Sequence, residues 1–393
     1  MTDPVAVGPL AGVRVLDLSS AVMGPYATQI LGDLGAEVIA VEEASGDTNR
    51  IMGPGPSRGM SGISLNLLRN KRNVCLNLKS EAGRDAFLRI VATCDVLVTN
   101  LRPAPLARLR LDYAAIREVR ADIVMCQAHG WPSDGADANK PAYDDVIQAS
   151  AGIADAFERQ SGTFALAPTL VADKVGGLTI VYAVLAAMFH RERTGEGQFV
   201  EVPMIDALTS FTLVEHGCAA IPDPPLGPAG YPRVLAAERR PYATTNGWVA
   251  VLPYSASNYN DLFREGGRLD LIDDPRVLSA AARVANAADL YALIDPIIAT
   301  RSSEFWIEYC SRHDIPAGAV RSLDDLVAEL PVEQHPTLGA YRQIPPPVRF
   351  AATPASVRRH APMLGEHGRE VLLEVGLSDD AIDALVGEST TTE

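Results

Sequence analysis

The strand–helix–strand pattern over Gly12–Val41 constrains the fold more than any other stretch of this chain. Gly12–Ser19 (GVRVLDLS) is β-branched and apolar, which suits a strand. Gly24–Leu34 (GPYATQILGDL) reads as a helix, with Pro25 in the first turn, where a missing N–H is tolerated. Glu37–Val41 (EVIAV) is the next strand. Two strands joined by a helix within about 30 residues make a βαβ unit, hence a parallel sheet with right-handed crossovers. The turn after the first strand, Ser19–Gly24, does not carry G-x-G-x-x-G, so the nicotinamide-dinucleotide fingerprint is absent.

The alternation continues downstream. Strands are expected at Val74–Leu78, Asp95–Thr99, Asp122–Gln127 and Gln198–Pro203. Helices are expected from Ser80 to Thr93, at Tyr113–Val119, at Tyr143–Phe157, from the Pro168–Gly177 stretch to about Arg191, and at Ile205–Ala220. The fold class is therefore α/β, a Rossmann-like parallel sheet, with a smaller α+β domain after it. Between Asp223 and Pro232 lie four prolines and two glycines, which read as a linker. Beyond it, Asn246-Gly247 between Tyr242–Thr245 and Trp248–Leu252 signals a β-hairpin. A second proline-rich stretch, Pro331–Pro347, precedes a C-terminal block whose last helix is capped by Ser378. The expected division is residues 1–221, 222–330 with flanking linker, and 331–393 returning to the large domain.

Composition excludes several classes. A net charge of −15 over 393 residues argues against nucleic-acid binding, which needs a basic surface. The five cysteines and seven histidines show no metal-ligand spacing, so no metal site is expected. Isolated thiols fit a reducing cytoplasm. Met1–Pro9 has no basic segment followed by an apolar run, against a signal peptide. The longest apolar run, Val175–Phe189, is too short for a membrane span and reads as a buried helix.

Chemistry points to Pro168–Gly177 (PTLVADKVGG). Asp173 stands where an irregular segment becomes a helix. It can be an N-cap, or a nucleophilic carboxylate held ionised by the helix N-terminus. Gly176 and Gly177 would let a ligand approach the backbone closely. Basic residues are scarce, so their clusters matter: Arg69–Arg72 with Lys79, and Arg102 with Arg108. Cations beyond the carboxyl ends of parallel strands suit phosphates, although a charged solvated face explains Arg69 and Arg72 equally well. A nucleophilic carboxylate with phosphate-binding cations suggests a coenzyme A thioester as substrate, with no permanently bound cofactor.

Ordered motifs along nearly the whole length resemble those of the class III CoA transferases, the CaiB–BaiF family that includes formyl-CoA transferase and carnitine CoA-transferase. They are PLAGVRVLDLSSAVMGPYATQILGDLGAEVIAVE, SGDTNR (Ser45–Arg50), RNKRNVCLNLKS (Arg69–Ser80), VTNLRPAPLARL (Val98–Leu109), YDDVIQASAG, PTLVADKVGG, RTGEGQFVEVPM, HDIPAGAV and PMLGEHGREVL. The resemblance implies that Asp173 is the catalytic aspartate. Lys79 and Arg108 would contact the CoA nucleotide, with Leu76, Leu78 and Leu109 lining adenine and ribose and Asn100 beside them. Val22 takes the place of a glutamine near the thioester, and Tyr143 and Asp144 would line the same pocket. Glu43 replaces a CoA-contacting arginine of some members, leaving Lys140 as the candidate replacement. The glycine-run loop of formyl-CoA transferase has no equivalent, the corresponding region being VLPYSASNYN, which argues against oxalate or formyl substrates. An α-methylacyl-CoA racemase shares CoA binding but needs a His-Asp proton-transfer pair; Asn139–Asp144 contains no histidine. A silent acyl-CoA binding protein is the remaining alternative. The resemblance further implies an interlocked-ring homodimer, acting on an acyl-CoA and a small carboxylic acid.

Overall fold

A computed structural model describes residues 8–390 of the chain. The segment read above against a signal peptide lies mostly outside the described residues. Two compact units are present. One comprises the chain up to Ala151, Ala167–Phe211 and the part from Leu330 onward; the other comprises Gly152–Leu166 and Thr212–Glu329. The second unit thus takes in Gly152–Leu166 and residues 212–221, both of which the sequence assigns to the large domain.

The first unit is built on six parallel strands: β1 (Arg14–Leu18), β2 (Glu37–Glu42), β3 (Lys71–Cys75), β4 (Val96–Thr99), β5 (Val124–His129) and β6 (Phe199–Pro203). Their order is β3-β2-β1-β4-β5-β6. Leu16 of β1 pairs with Ile39 on one side and Leu97 on the other. The order reverses between β1 and β4, the switch point at which open α/β sheets form a ligand crevice. Leu16, Ile39, Leu97, Phe87, Ile90 and Met125 belong to a buried cluster on one face. Both faces of the central strands are covered, so these strands read as continuous apolar runs.

β3 departs from expectation, beginning three residues before Val74. The polar run Arg69–Asn73 is buried rather than solvated or phosphate-facing. Lys71 is fully buried, and its Nζ donates to Asp17 Oδ2 (2.9 Å), Thr28 Oγ1 (2.8 Å) and the Pro25 carbonyl (3.0 Å). Arg69 pairs with Asp33 at 2.6 Å, and Arg72 with Glu37, Glu370 and Glu374. These ion pairs tie β3 to β1, the first helix (Met23–Asp33) and the C-terminal Gly368–Glu374 helix, with Arg72 Nε left without a hydrogen-bond partner.

Other corrections are local. The single helix expected at Tyr143–Phe157 is two, Asp144–Ser150 and Ile153–Ser161, broken at Gly152 with φ +88°. The one expected at Ile205–Ala220 ends at His216 and is followed by a short 3-10 turn. The Val171–Thr194 helix is buried along one face only. Ala172, Gly176, Gly177, Ile180, Val184 and Ala187 face inward, while Leu178, Tyr182 and Phe189 are exposed. By length and composition it could cross a membrane, although it packs on the first helix, β5 and β6.

The second unit holds an antiparallel sheet of β7 (Tyr242–Ala243), β8 (Trp248–Val251) and β9 (Ala317–Ala319). The expected hairpin joins β7 and β8, but Ala243 pairs with Trp248 and Thr244 N–H donates to the Gly247 carbonyl at 2.9 Å. It therefore turns at Thr245-Asn246, one residue before the expected Asn246-Gly247. Its core surrounds Trp306, Phe263, Tyr291 and Ile294. The indole Nε1 of Trp306 donates to the Ile298 carbonyl at 2.7 Å. The proline-rich Pro331–Pro347 is not a plain linker. It contains a hairpin of β10 (Val332–His335) and β11 (Gly339–Arg342), whose turn is held by Thr337 and Leu338 N–H groups donating to His335 Nδ1.

Candidate active site

Beyond the carboxyl ends of β1 to β4 lies a cleft of about 320 Å³. Leu76, Leu78, Lys79, Asn100 and Leu109, five of the residues singled out from the sequence, line it together. The leucines supply an apolar wall. Lys79 Nζ sits 3.1 Å from Glu43, both side chains well exposed, so the cation is shared with an acid at the rim. Arg108 is exposed in the last turn of the Pro103–Arg108 helix, next to Leu109, with no acidic partner among the described residues. Asn100 is engaged in the scaffold: its Oδ1 accepts from Ser20 N–H (2.9 Å) and its Nδ2 donates to the Ser20 carbonyl (2.8 Å). It therefore fixes the turn after β1. Lys140 is exposed and bound to Asp137 at 2.6 Å.

That turn is held from its other side by Asp47, which the sequence reading quoted within SGDTNR without a role. Ala21 adopts φ +62°, and its N–H donates to both Asp47 oxygens at 3.1 and 3.2 Å. Burial pushes the Asp47 carboxyl up to about 6, against the lowering effect of its backbone donors. Behind it, Glu42 and Arg50 form a buried bidentate pair, both contacts 2.7 Å. The only sequence signal for this arrangement was an acidic residue beside Gly46 in a loop after a strand, a pattern common in ordinary turns. Val22, next in the chain, is buried at the N-cap of the first helix.

Asp173 lies at the third position of the Val171–Thr194 helix and is partly buried. It is not the N-cap; that residue is Leu170, which makes no side-chain cap bond. The capping acceptor comes from another helix, with Asp144 Oδ1 receiving the Asp173 N–H at 3.0 Å. Asp144 is itself buried and accepts from Gln148 Nε2 at 2.5 Å. Gln148 also donates to the Thr169 carbonyl (3.2 Å) and accepts from Ala167 N–H (2.8 Å), pinning the loop that delivers Asp173. The electrostatic outcome reverses the expectation of a carboxylate held ionised by the helix start. Burial, and then the neighbouring Asp144 charge, push Asp173 up to about 7. Tyr143, one residue before Asp144, is 74% exposed.

Gly176 and Gly177 serve packing. A Cβ on Gly176 would stand 2.7 Å from Met23 Sδ, and one on Gly177 would stand 2.9 Å from the Met23 carbonyl oxygen and from Tyr26 Cδ1. They let this helix cross the first helix closely, so ligand approach is not their visible role. The crossing has a consequence for the site. Asp173 is one turn before Gly176 and Gly177 on the same helix face, and Gly176 lies against Met23. Ser19 and Ser20, a few residues earlier, line the cleft. One turn, Ser19–Met23, thus runs from the cleft wall to the face that carries Asp173.

The chain is similar to known proteins in both sequence and fold. The family model of CoA-transferase family III matches residues 10–368. The succinyl-CoA:glutarate CoA-transferase of Mus musculus is 28% identical, over 98% of this chain and 91% of that protein. The formyl-CoA:oxalate CoA-transferase of Streptomyces avermitilis is 30% identical, over 96% of this chain and 98% of its own. Among solved structures, a CaiB/BaiF family protein from Brucella suis superposes with a TM-score of 0.79 at 26% identity, covering 94% of this chain and all of that one.

Proposed function

The chain belongs to CoA-transferase family III, and from that premise we propose that it moves CoA from a donor acyl-CoA to an acceptor carboxylic acid with Asp173 as nucleophile. The observation that carries this reading is a desolvated carboxylate at a helix start whose backbone N–H is capped by Asp144, joined through the Ser19–Met23 turn to a cleft with apolar walls and a cationic rim.

In the first step an Asp173 carboxylate oxygen attacks the donor thioester carbonyl. The C–S bond breaks, CoA leaves as thiolate, and an acyl–aspartyl anhydride remains. The thiolate then attacks the Asp173 side-chain carbonyl, releasing the donor acid and leaving an aspartyl-CoA thioester. The acceptor carboxylate attacks that thioester and expels the thiolate again. Attack of the thiolate on the acceptor's carbonyl then yields the new acyl-CoA and frees Asp173. Thioester energy is kept throughout, so the chemistry calls for no redox or metal group. Exclusion of water protects the anhydrides, and the backbone N–H groups of Met23 and Gly24, in the first turn of the first helix, are candidate donors to the developing oxyanions. Leu76, Leu78 and Leu109 would hold the nucleotide, with Lys79 and Arg108 against its phosphates.

The substrate acids named for the two relatives, glutarate and oxalate, are both dicarboxylic, which supports a small acid as acceptor. We further infer a homodimer working in a reducing cytoplasm. Exposed Leu178, Tyr182 and Phe189 on one stripe of a core helix support self-association, the interlocked form rests on the family resemblance, and scattered cysteines support the compartment. Asp173→Ala should abolish transfer and leave CoA binding intact; substantial turnover by the purified variant would remove Asp173 from the mechanism.

A further inference from the structure

Arg233, Arg283 and Tyr254 line a cavity of about 240 Å³ in the second unit, with Tyr259 and Tyr291 in its wall. No Asp or Glu is among its described lining residues. That is unusual in a chain with 49 acidic and 34 basic residues. Several other arginines of this unit are paired with acids: Arg240 with Asp295, Arg264 with Asp261, Arg276 with Asp274. Arg233 and Arg283 are held instead by neutral groups. Arg233 Nε donates to the Tyr291 hydroxyl at 2.9 Å, and its guanidinium stands 4.4 Å from the centroid of the Tyr254 ring. Arg283 Nη1 donates to the Val277 carbonyl at 2.6 Å. A guanidinium stacked on a ring keeps its in-plane N–H edge for a carboxylate.

Tyr259 adds an independent observation. It is 3% exposed, yet its hydroxyl has no hydrogen-bond partner among the described residues, and both arginines act on it electrostatically. A hydroxyl that has no protein partner, on an otherwise buried side chain lining the cavity, is a donor suited to an anion. Size narrows the choice, because pockets for drug-sized ligands run to roughly 300–1,000 Å³. The cavity suits an acid of a few carbons better than a nucleotide.

We propose that this cavity binds a small dicarboxylic acid, with Arg233 and Arg283 balancing its two charges and Tyr259 donating to it. Its role as a substrate site rests on the transferase reading above, whereas the anion affinity does not.

The direct test labels arginines of the full-length protein with phenylglyoxal, alone and with glutarate, butyrate or adenosine 3′,5′-bisphosphate, and reads the peptides by mass spectrometry. Glutarate should protect Arg233 and Arg283, butyrate less, and the bisphosphate not at all. Calorimetry on Arg233→Gln and Arg283→Gln should show glutarate affinity at least tenfold weaker with CoA affinity unchanged. Asp173→Ala should bind glutarate like the parent protein, which separates this site from the nucleophile assignment. Labelling of both arginines indifferent to glutarate, or protection by the bisphosphate in its place, would overturn the proposal.

Discussion

Two carboxylates meet at the start of the Val171–Thr194 helix, and their proximity sets a pH window. Asp173 is raised from 3.8 to about 7 by burial and by Asp144. A nucleophile must be ionised, so kcat/KM should rise with pH through a value near 7. Asp144→Asn removes the like charge and should move that limb to lower pH, by about one unit, with burial keeping it above 3.8; an unmoved profile would mean Asp144 exerts no charge effect. The same shift links to stability. An acid whose folded value is raised stabilises the fold below the unfolded value, and that contribution is lost as pH rises through the folded one. Asp173→Asn should therefore be more stable than the parent at pH 8, by on the order of 4 kcal/mol, and nearly equal at pH 4. Thermal unfolding at the two pH values measures it. Asp173 was legible in the sequence because a lone acid before two glycines marks a helix start. Its true capping partner was not, since Asp144 lies 29 residues away and only tertiary packing brings it to the Asp173 N–H.

At the level of elements, the crossing of the first helix and the Val171–Thr194 helix positions the site. Gly177→Leu would force side-chain atoms into the Met23 backbone and the Tyr26 ring. Overpacking of this kind costs about 1–3 kcal/mol or more, and urea unfolding should report it as a lower midpoint. The two lysines of the Arg69–Ser80 stretch should separate cleanly. Lys71→Met leaves Asp17 buried without its cation and should cost about 3–5 kcal/mol. Lys79→Ala should weaken CoA binding with the unfolding midpoint unchanged, because Lys79 is exposed. The sequence showed both as one basic cluster. What divides them is strand register: β3 starts early enough to carry Lys71 inside, and periodicity cannot see that when polar residues find partners on β1, the first helix and the C-terminal block.

Across the whole molecule, the alternating pattern from Gly12 onward was enough to foresee a parallel sheet, and the Asn246-Gly247 hairpin a second, antiparallel one. The division of the chain was less legible. The break at Gly152 and the hairpin inside Pro331–Pro347 depend on a left-handed glycine and a histidine-held turn, neither of which alters hydrophobic periodicity. The exposed stripe Leu178, Tyr182 and Phe189 belongs to this scale too. If it is covered by a second copy, Tyr182→Glu should shift the mass measured by light scattering toward the monomer; an unchanged mass would leave the stripe outside the interface. The central claim, covalent participation of Asp173, is tested most directly by incubating the protein with an acyl-CoA, quenching in hydroxylamine and sequencing the peptides by mass spectrometry. A hydroxamate on Asp173, absent without acyl-CoA, is the predicted result. Turnover with no adduct at Asp173, or an adduct on another carboxylate, would contradict it.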